Sequence, residues 1–167
     1  MSKNVCEEKT YQNIFESLSF SLRNFIFFKC GDVNQAEDIA QEAFLRLWKA
    51  CANVLPEKAK SFLYTVANNL LLDQIKHQKV VLNFQKLPQK TETIEDPEYL
   101  YQVDEFQKIL EEAIAALPEK NRVVFLMSRL EKLTYQEIAA RLEISKKAVE
   151  KRMSKALIEL RKLTDGI

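Results

Sequence analysis

A chain of 167 residues, 47% of them hydrophobic, has enough apolar material for one ordinary domain or two small ones. Two glycines and four prolines argue against a turn-rich sheet and for helices, and a net charge of +1 gives no global attraction to nucleic acid. The charge is unevenly placed: residues 141–162 hold eight Lys or Arg against three Glu, while residues 92–98 hold four acids and no base.

The N-terminus, MSKNVCEEKTYQ, lacks an apolar signal core, and stretches such as residues 24–28 or 79–82 fall far short of the ~20 residues of a membrane span. The expectation is a cytoplasmic protein with no direct membrane insertion. Cys6, Cys30 and Cys51 are odd in number, show no CxxC spacing and have no histidine near enough to complete a zinc pattern. They read as three free thiols, with no metal or cofactor site.

The first helical pattern carries Ile14, Phe15, Leu18, Leu22, Phe25 and Ile26 at helical spacing, and Gly31-Asp32 breaks it. Phe27 and Phe28 cannot both share that inward face, so one is expected at an interface. Asn34 with Glu37 resembles a capping box opening a second helix, whose inward stripe is Ala36, Ile39, Ala40, Ala43, Phe44, Leu47 and Trp48. Glu37, Asp38, Gln41, Glu42 and Arg46 take most of its remaining surface. A third helix from about Glu57 to His77 would bury Leu63, Val66, Ala67, Leu70 and Leu71. Three such stripes can close a small core by facing one another, with Phe15, Phe25, Phe44, Trp48 and Phe62 as its aromatic share.

From about Gln78 to Leu100 the helical period fades, and the acid-rich run reads as a linker. Periodicity returns with Phe106, Leu110, Ala113, Ile114 and Leu117, which Pro118 closes, and then with Val123, Val124, Leu126, Met127 and Leu130. Thr134 and Glu137 form a capping box that starts a short helix with Ile138, Ala139 and Leu142 facing inward. A three-residue turn containing Ile144 leads to Ser145, which is placed to cap a longer helix with Val149, Met153, Ala156, Leu157 and Leu160 as its apolar stripe. This is the pattern of a helix-turn-helix, whose second helix enters the DNA major groove. Its DNA candidates are Lys146, Lys147, Glu150, Lys151, Arg152 and Lys155. The two lysines of the first turn suit phosphate anchoring, and Glu150, Lys151 and Arg152 can reach base edges.

The fold class expected is all-α: two small helical domains, residues 1–78 and 103–167, joined by a linker over 79–102, the C-terminal one containing the helix-turn-helix. The rival reading is a helix-turn-helix regulator that acts alone on a two-fold repeated site. No nucleophile–base spacing or Gly-rich phosphate loop supports an enzyme.

Three segments, in order and spacing, resemble the extracytoplasmic-function (ECF) type of RNA polymerase sigma factor: GDVNQAEDIAQEAFLRLWKA at 31–50, SFLYTVANNLLLDQIK at 61–76, and the run from Ala113 to Lys162. The resemblance implies a non-enzymatic protein that binds core RNA polymerase and directs transcription initiation. Residues 1–78 would be region two, with Glu37, Asp38, Gln41, Glu42 and Arg46 docking on the polymerase. The third helix, with Asn68, Asn69, Asp73, Gln74, Lys76 and His77, would read and open the proximal promoter element. The loop around Cys51 to Lys60 would help capture a flipped base, and residues 103–167 would be region four, binding the distal element. Asn68 stands where an arginine is frequent, and the basic tail of that helix is thin. The string AVEKRMSKAL is similar to the branch coupled to membrane-anchored anti-sigma factors, so the implied partners are core polymerase, promoter DNA and an anti-sigma factor.

Overall fold

In the computed structural model, described for residues 4–74, 80–82, 97–163 and 165, the secondary structure is helical throughout: α1 (Glu8–Cys30), α2 (Val33–Lys49), α3 (Ala59–Gln74), α4 (Pro97–Ala116), α5 (Glu119–Arg129), α6 (Tyr135–Leu142) and α7 (Lys146–Arg161), with 3-10 turns at Cys51–Asn53 and Pro56–Lys58. The chain divides into two units, residues 1–79 and 80–167. No helix among the described residues is long and apolar enough to cross a membrane.

The first unit packs α1, α2 and α3 against one another. Five consecutive residues of α1, Asn24 to Phe28, are buried. Both Phe27 and Phe28 are fully covered, which corrects the expectation that one of them lies at an interface. The single-stripe rule fails there because this half of α1 is enclosed on more than one side, and a helix so enclosed buries its whole circumference. Gly31 ends α1 in the left-handed region (φ 74°), reachable without strain because it has no Cβ, and donates its N–H to Phe27 O.

The chain then turns at once, so Asp32, not Asn34, caps α2: its carboxylate accepts the Gln35 N–H at 3.1 Å. Trp48 and Phe15, expected in the core, are each 44% exposed. The Trp48 ring stands edge-on to Tyr11 at 5.0 Å, while the Tyr11 hydroxyl donates to Phe44 O at 2.9 Å and ties α1 to α2. Burial holds the Tyr11 phenol above its ordinary pKa.

Cys6 and Cys51 are joined in a disulfide, Cα–Cα 4.9 Å, between the turn before α1 and the 3-10 turn after α2. The reading of three free thiols is therefore wrong for two of them. A separation of 45 residues leaves no spacing signature, and only the antiparallel approach of α1 and α2 brings the pair together.

In the second unit α7 packs on α4, α5 and α6 around Ile114, Leu117, Val124, Met127, Ile138, Val149, Met153 and Ala156. Helix α4 begins at Pro97, inside the stretch read as linker. Phe106 and Leu130, assigned to inward stripes, are 55% and 48% exposed. Arg122 is 3% exposed and donates from Nη1 to Ala115 O (3.0 Å) and Leu117 O (2.9 Å), closing the C-terminus of α4 with a buried charge.

Candidate nucleic-acid and polymerase interfaces

The geometry of α7 follows from two local signals. Thr134 accepts the Glu137 N–H (3.2 Å) and Glu137 returns a bond from the Thr134 N–H (2.7 Å), completing the capping box of α6. The Thr134 backbone and hydroxyl donors hold the Glu137 carboxyl below its ordinary pKa, with a lesser contribution from Arg141. Glu143 makes the turn in the left-handed region (φ 56°), and Ser145 accepts the Ala148 N–H at 3.1 Å. Arg141 Nη1 meets Glu131 Oε2 at 2.6 Å, with only 6% of the Glu131 side chain exposed, and clamps α6 to the loop that precedes it. Arg141 is thus occupied within the fold and is not one of the cations offered to DNA.

With Val149, Met153 and Ala156 buried, the opposite face of α7 shows Lys147, Lys151, Ser154 and Lys155, all exposed, with Lys146 and Glu150 exposed beside them. Arg152 is half-buried and lies on the flank nearer the core, apart from the lysines. The face therefore carries four ammonium groups and one carboxylate along a helix that stands clear of its own core.

Helix α3 offers a different surface. Thr65, Asn69, Leu72 and Asp73 are exposed on one side, and Leu72 is 61% exposed. Of the residues expected there, Asn69 and Asp73 stand on that side. Asn68 turns toward α1, where its Oδ1 accepts from Lys29 Nζ at 2.6 Å. Gln74 is exposed but accepts from Gln35 of α2 at 3.1 Å. Lys76 and His77 lie outside the described residues. Sequence reasoning missed Leu72, which stands among apolar neighbours and carries no signal of exposure. It also missed Lys29, whose link to α3 exists only in three dimensions.

On α2, Asp38, Gln41 and Arg46 are exposed, while Glu37 and Glu42 are half-buried. Arg46 pairs with Glu42 along the helix at 3.1 Å, and Arg23 of α1 approaches Glu37 at 3.9 Å. Leu45 (53% exposed) and Trp48 extend the stripe begun by Asp38 and Gln41. The polar face expected from sequence thus also carries two large exposed apolar groups. Among the described residues no group of His, Cys, Asp and Glu is arranged to hold a metal ion.

Comparison with known proteins matches residues 14–80 to Sigma-70 region 2 and residues 107–160 to Sigma-70, region 4. The chain is 28% identical to the ferric citrate uptake sigma factor FecI of Escherichia coli, over 89% of this chain and 87% of that relative. It is 26% identical to the ECF RNA polymerase sigma factor SigW of Bacillus subtilis, over 93% and 89%. Against the ECF sigma factor SigE of Mycolicibacterium smegmatis it is 28% identical over 78% of this chain, spanning about half (52%) of that longer relative. The fold is shared with the sigma factor RpoE of Bartonella quintana, solved with the anti-sigma factor NepR (TM-score 0.61, 16% identity, 94% of this chain and 98% of that one). It is shared also with CnrH, solved with the cytosolic domain of CnrY (TM-score 0.55, 18% identity, 94% and 88%). Two family regions, in the family's order and over most of the chain, establish that the protein belongs to the sigma-70 family in its ECF form: a sigma factor that binds core RNA polymerase and directs promoter recognition, with no catalysis of its own.

Proposed function

We propose that this sigma factor divides promoter recognition between the two exposed helical faces. Helix α7 enters the major groove of the distal element, with Lys146 and Lys147 on phosphates, Lys151 and Glu150 at base edges, Lys155 further along the backbone, and Arg152 reaching from the flank. Helix α3 presents Asn69 and Asp73, with Leu72 between them, to the proximal element. Lys76 and His77 follow in the chain, and Asn68 and Gln74 hold the helix against α1 and α2. The face of α2 built on Asp38, Gln41, Glu42, Arg46 and Glu37, extended by Leu45 and Trp48, docks on the polymerase.

The observation that carries this reading is the contrast in charge between α7 and α3. A basic helix binds duplex DNA through its phosphates, whereas a face that shows the Asp73 carboxylate and an exposed leucine has no electrostatic attraction to phosphates and suits bases already brought near. Polymerase would deliver that second contact by raising its effective concentration at the promoter. An anti-sigma factor, of the membrane-anchored kind associated with the AVEKRMSKAL branch, is the proposed restraint, supported by one protein of this fold having been solved with an anti-sigma factor and another with the cytosolic domain of CnrY.

Reconstitution with core polymerase followed by genome-wide run-off transcription tests the whole. Specific initiation is expected, and tight binding to a two-fold repeated site without polymerase would overturn it. Reversing Asp38 and Glu42 to Lys should weaken holoenzyme assembly at least about tenfold, as like charges meet across the interface, while leaving the helical content unchanged.

A further inference from the structure

We propose that the Cys6–Cys51 bond is a reversible thiol–disulfide couple that sets how well the α2–α3 connection, and with it α3, engages promoter DNA. The inference rests on the reading of α3 and the preceding connection as the proximal-promoter contact.

Three observations carry it. The bond lies outside the helices, joining the turn before α1 to the first 3-10 turn after α2, and both cysteines are partly exposed, so an attacking thiolate can reach either sulfur. The connection it holds is slight: single 3-10 turns closed by Asn53 N–H to Ala50 O (2.9 Å) and Lys58 N–H to Leu55 O (2.9 Å), with Ala52, Asn53, Leu55, Glu57 and Lys58 exposed. Its partner strand of chain is anchored independently by Val5, which is fully buried, and by Tyr11, whose hydroxyl is bonded to α2. Breaking the bond therefore frees the connection while the N-terminal turn stays seated. Finally, a protein that works on RNA polymerase works among reducing thiols, where disulfides are transient and redox-sensing far more often than they are structural staples.

The exchange needs a dithiol reductant, protein or small molecule. One reductant thiolate attacks Sγ of Cys6 or Cys51, the protein S–S bond breaks, and the released sulfur takes a proton. The second reductant thiol then resolves the mixed disulfide, leaving two protein thiols and an oxidised dithiol, with two electrons transferred to the protein. A disulfide oxidant such as glutathione disulfide reverses each step. Oxidised protein holds the connection in place below α3, and reduced protein lets it fluctuate.

The test uses the full chain carrying Cys30→Ser, which removes the remaining thiol. Protein is equilibrated with graded dithiothreitol or glutathione disulfide, desalted, and scored for Cys6–Cys51 by alkylation and intact mass. It is then bound to core polymerase and assayed by permanganate footprinting on a duplex promoter and on the same promoter with a pre-opened bubble. Reduction is expected to lower the melting temperature by about 10 °C or more, since the bond closes a long loop. Opening of the duplex should fall about tenfold, the loss expected if about a tenth of the reduced protein keeps the connection ordered. Re-oxidation should restore it. Equal opening by oxidised and reduced protein overturns the proposal, as does failure of the thiols to re-form the bond in glutathione disulfide. If Asn69→Ala and Leu72→Ser leave opening untouched while the redox dependence persists, the reading of α3 fails and redox control stands.

Discussion

The exposed faces of α7 and α3 sit on helices of the same length, sixteen residues each, yet they differ in charge and chemistry. Helix α7 is fixed by bonds inside its own unit and shows four exposed lysines, a positive face of the kind that attracts phosphates. Helix α3, as described to Gln74, has no basic residue in its last turn, borrows Lys29 from α1 to hold Asn68, and exposes an asparagine, an aspartate and a leucine. The difference is one of charge and exposure, and on the proposed function it makes affinity and strand opening separable. In the proposed division, one face supplies attraction to any duplex, and the other acts only once polymerase has brought DNA to it.

The largest expected effect tests whether the two faces are truly independent. Glu131→Ala leaves the Arg141 guanidinium without its buried carboxylate and should cost about 3 kcal/mol, enough to remove most protection from exchange in α5 to α7. Hydrogen exchange on the full chain should show α1 to α3 unaffected, and a loss of protection there would mean the faces share one fold. Next, replacing Lys147, Lys151 and Lys155 together with Ala should lower the slope of log affinity against log salt by roughly 2, at about 0.9 for each of the two phosphates that Lys147 and Lys155 no longer neutralise. An unchanged slope would remove α7 as the electrostatic face.

Leu72→Ser is expected to act on α3 alone. Opening of the promoter by holoenzyme should fall by about tenfold, the scale of a missing apolar wedge, while the salt slope stays constant. A changed slope would show that the contrast between the faces had been drawn too sharply. The smallest effect is in acid. Because the folded pKa of Glu137 is depressed, its contribution to stability is complete above the ordinary glutamate range and is lost as pH falls through the lower folded value. Melting of the second unit followed through that range should therefore flatten in Glu137→Gln, with the first unit as internal reference.

How much could be read in advance follows the same division. The α6–α7 element was legible to the residue because Thr134, Glu137 and Ser145 act on N–H groups three positions away, and such local chemistry is written in order along the chain. The first unit was legible only in outline. Asp32 replaced Asn34 as the cap because Gly31 turns the chain within one residue, and Trp48 moved outward because Tyr11 of another helix holds its ring at the surface. The disulfide, the enclosed Phe27-Phe28 pair and the Lys29–Asn68 bond depend on which helices meet, which periodicity alone does not specify. Of the candidate site, the lysines of α7 were placed correctly as an exposed group, whereas Leu45 and Leu72 had passed as ordinary apolar residues.

Asn68 and Asn69 are neighbours with the same side chain, and the fold separates them by a single helical step: one faces inward to an ammonium group, the other faces outward. A geneticist screening this doublet would meet two unrelated phenotypes. On the proposed function, lesions at the first position belong with temperature-sensitive alleles and are relieved by anything that steadies the bundle, while lesions at the second are allele-specific and are relieved by changing the promoter itself.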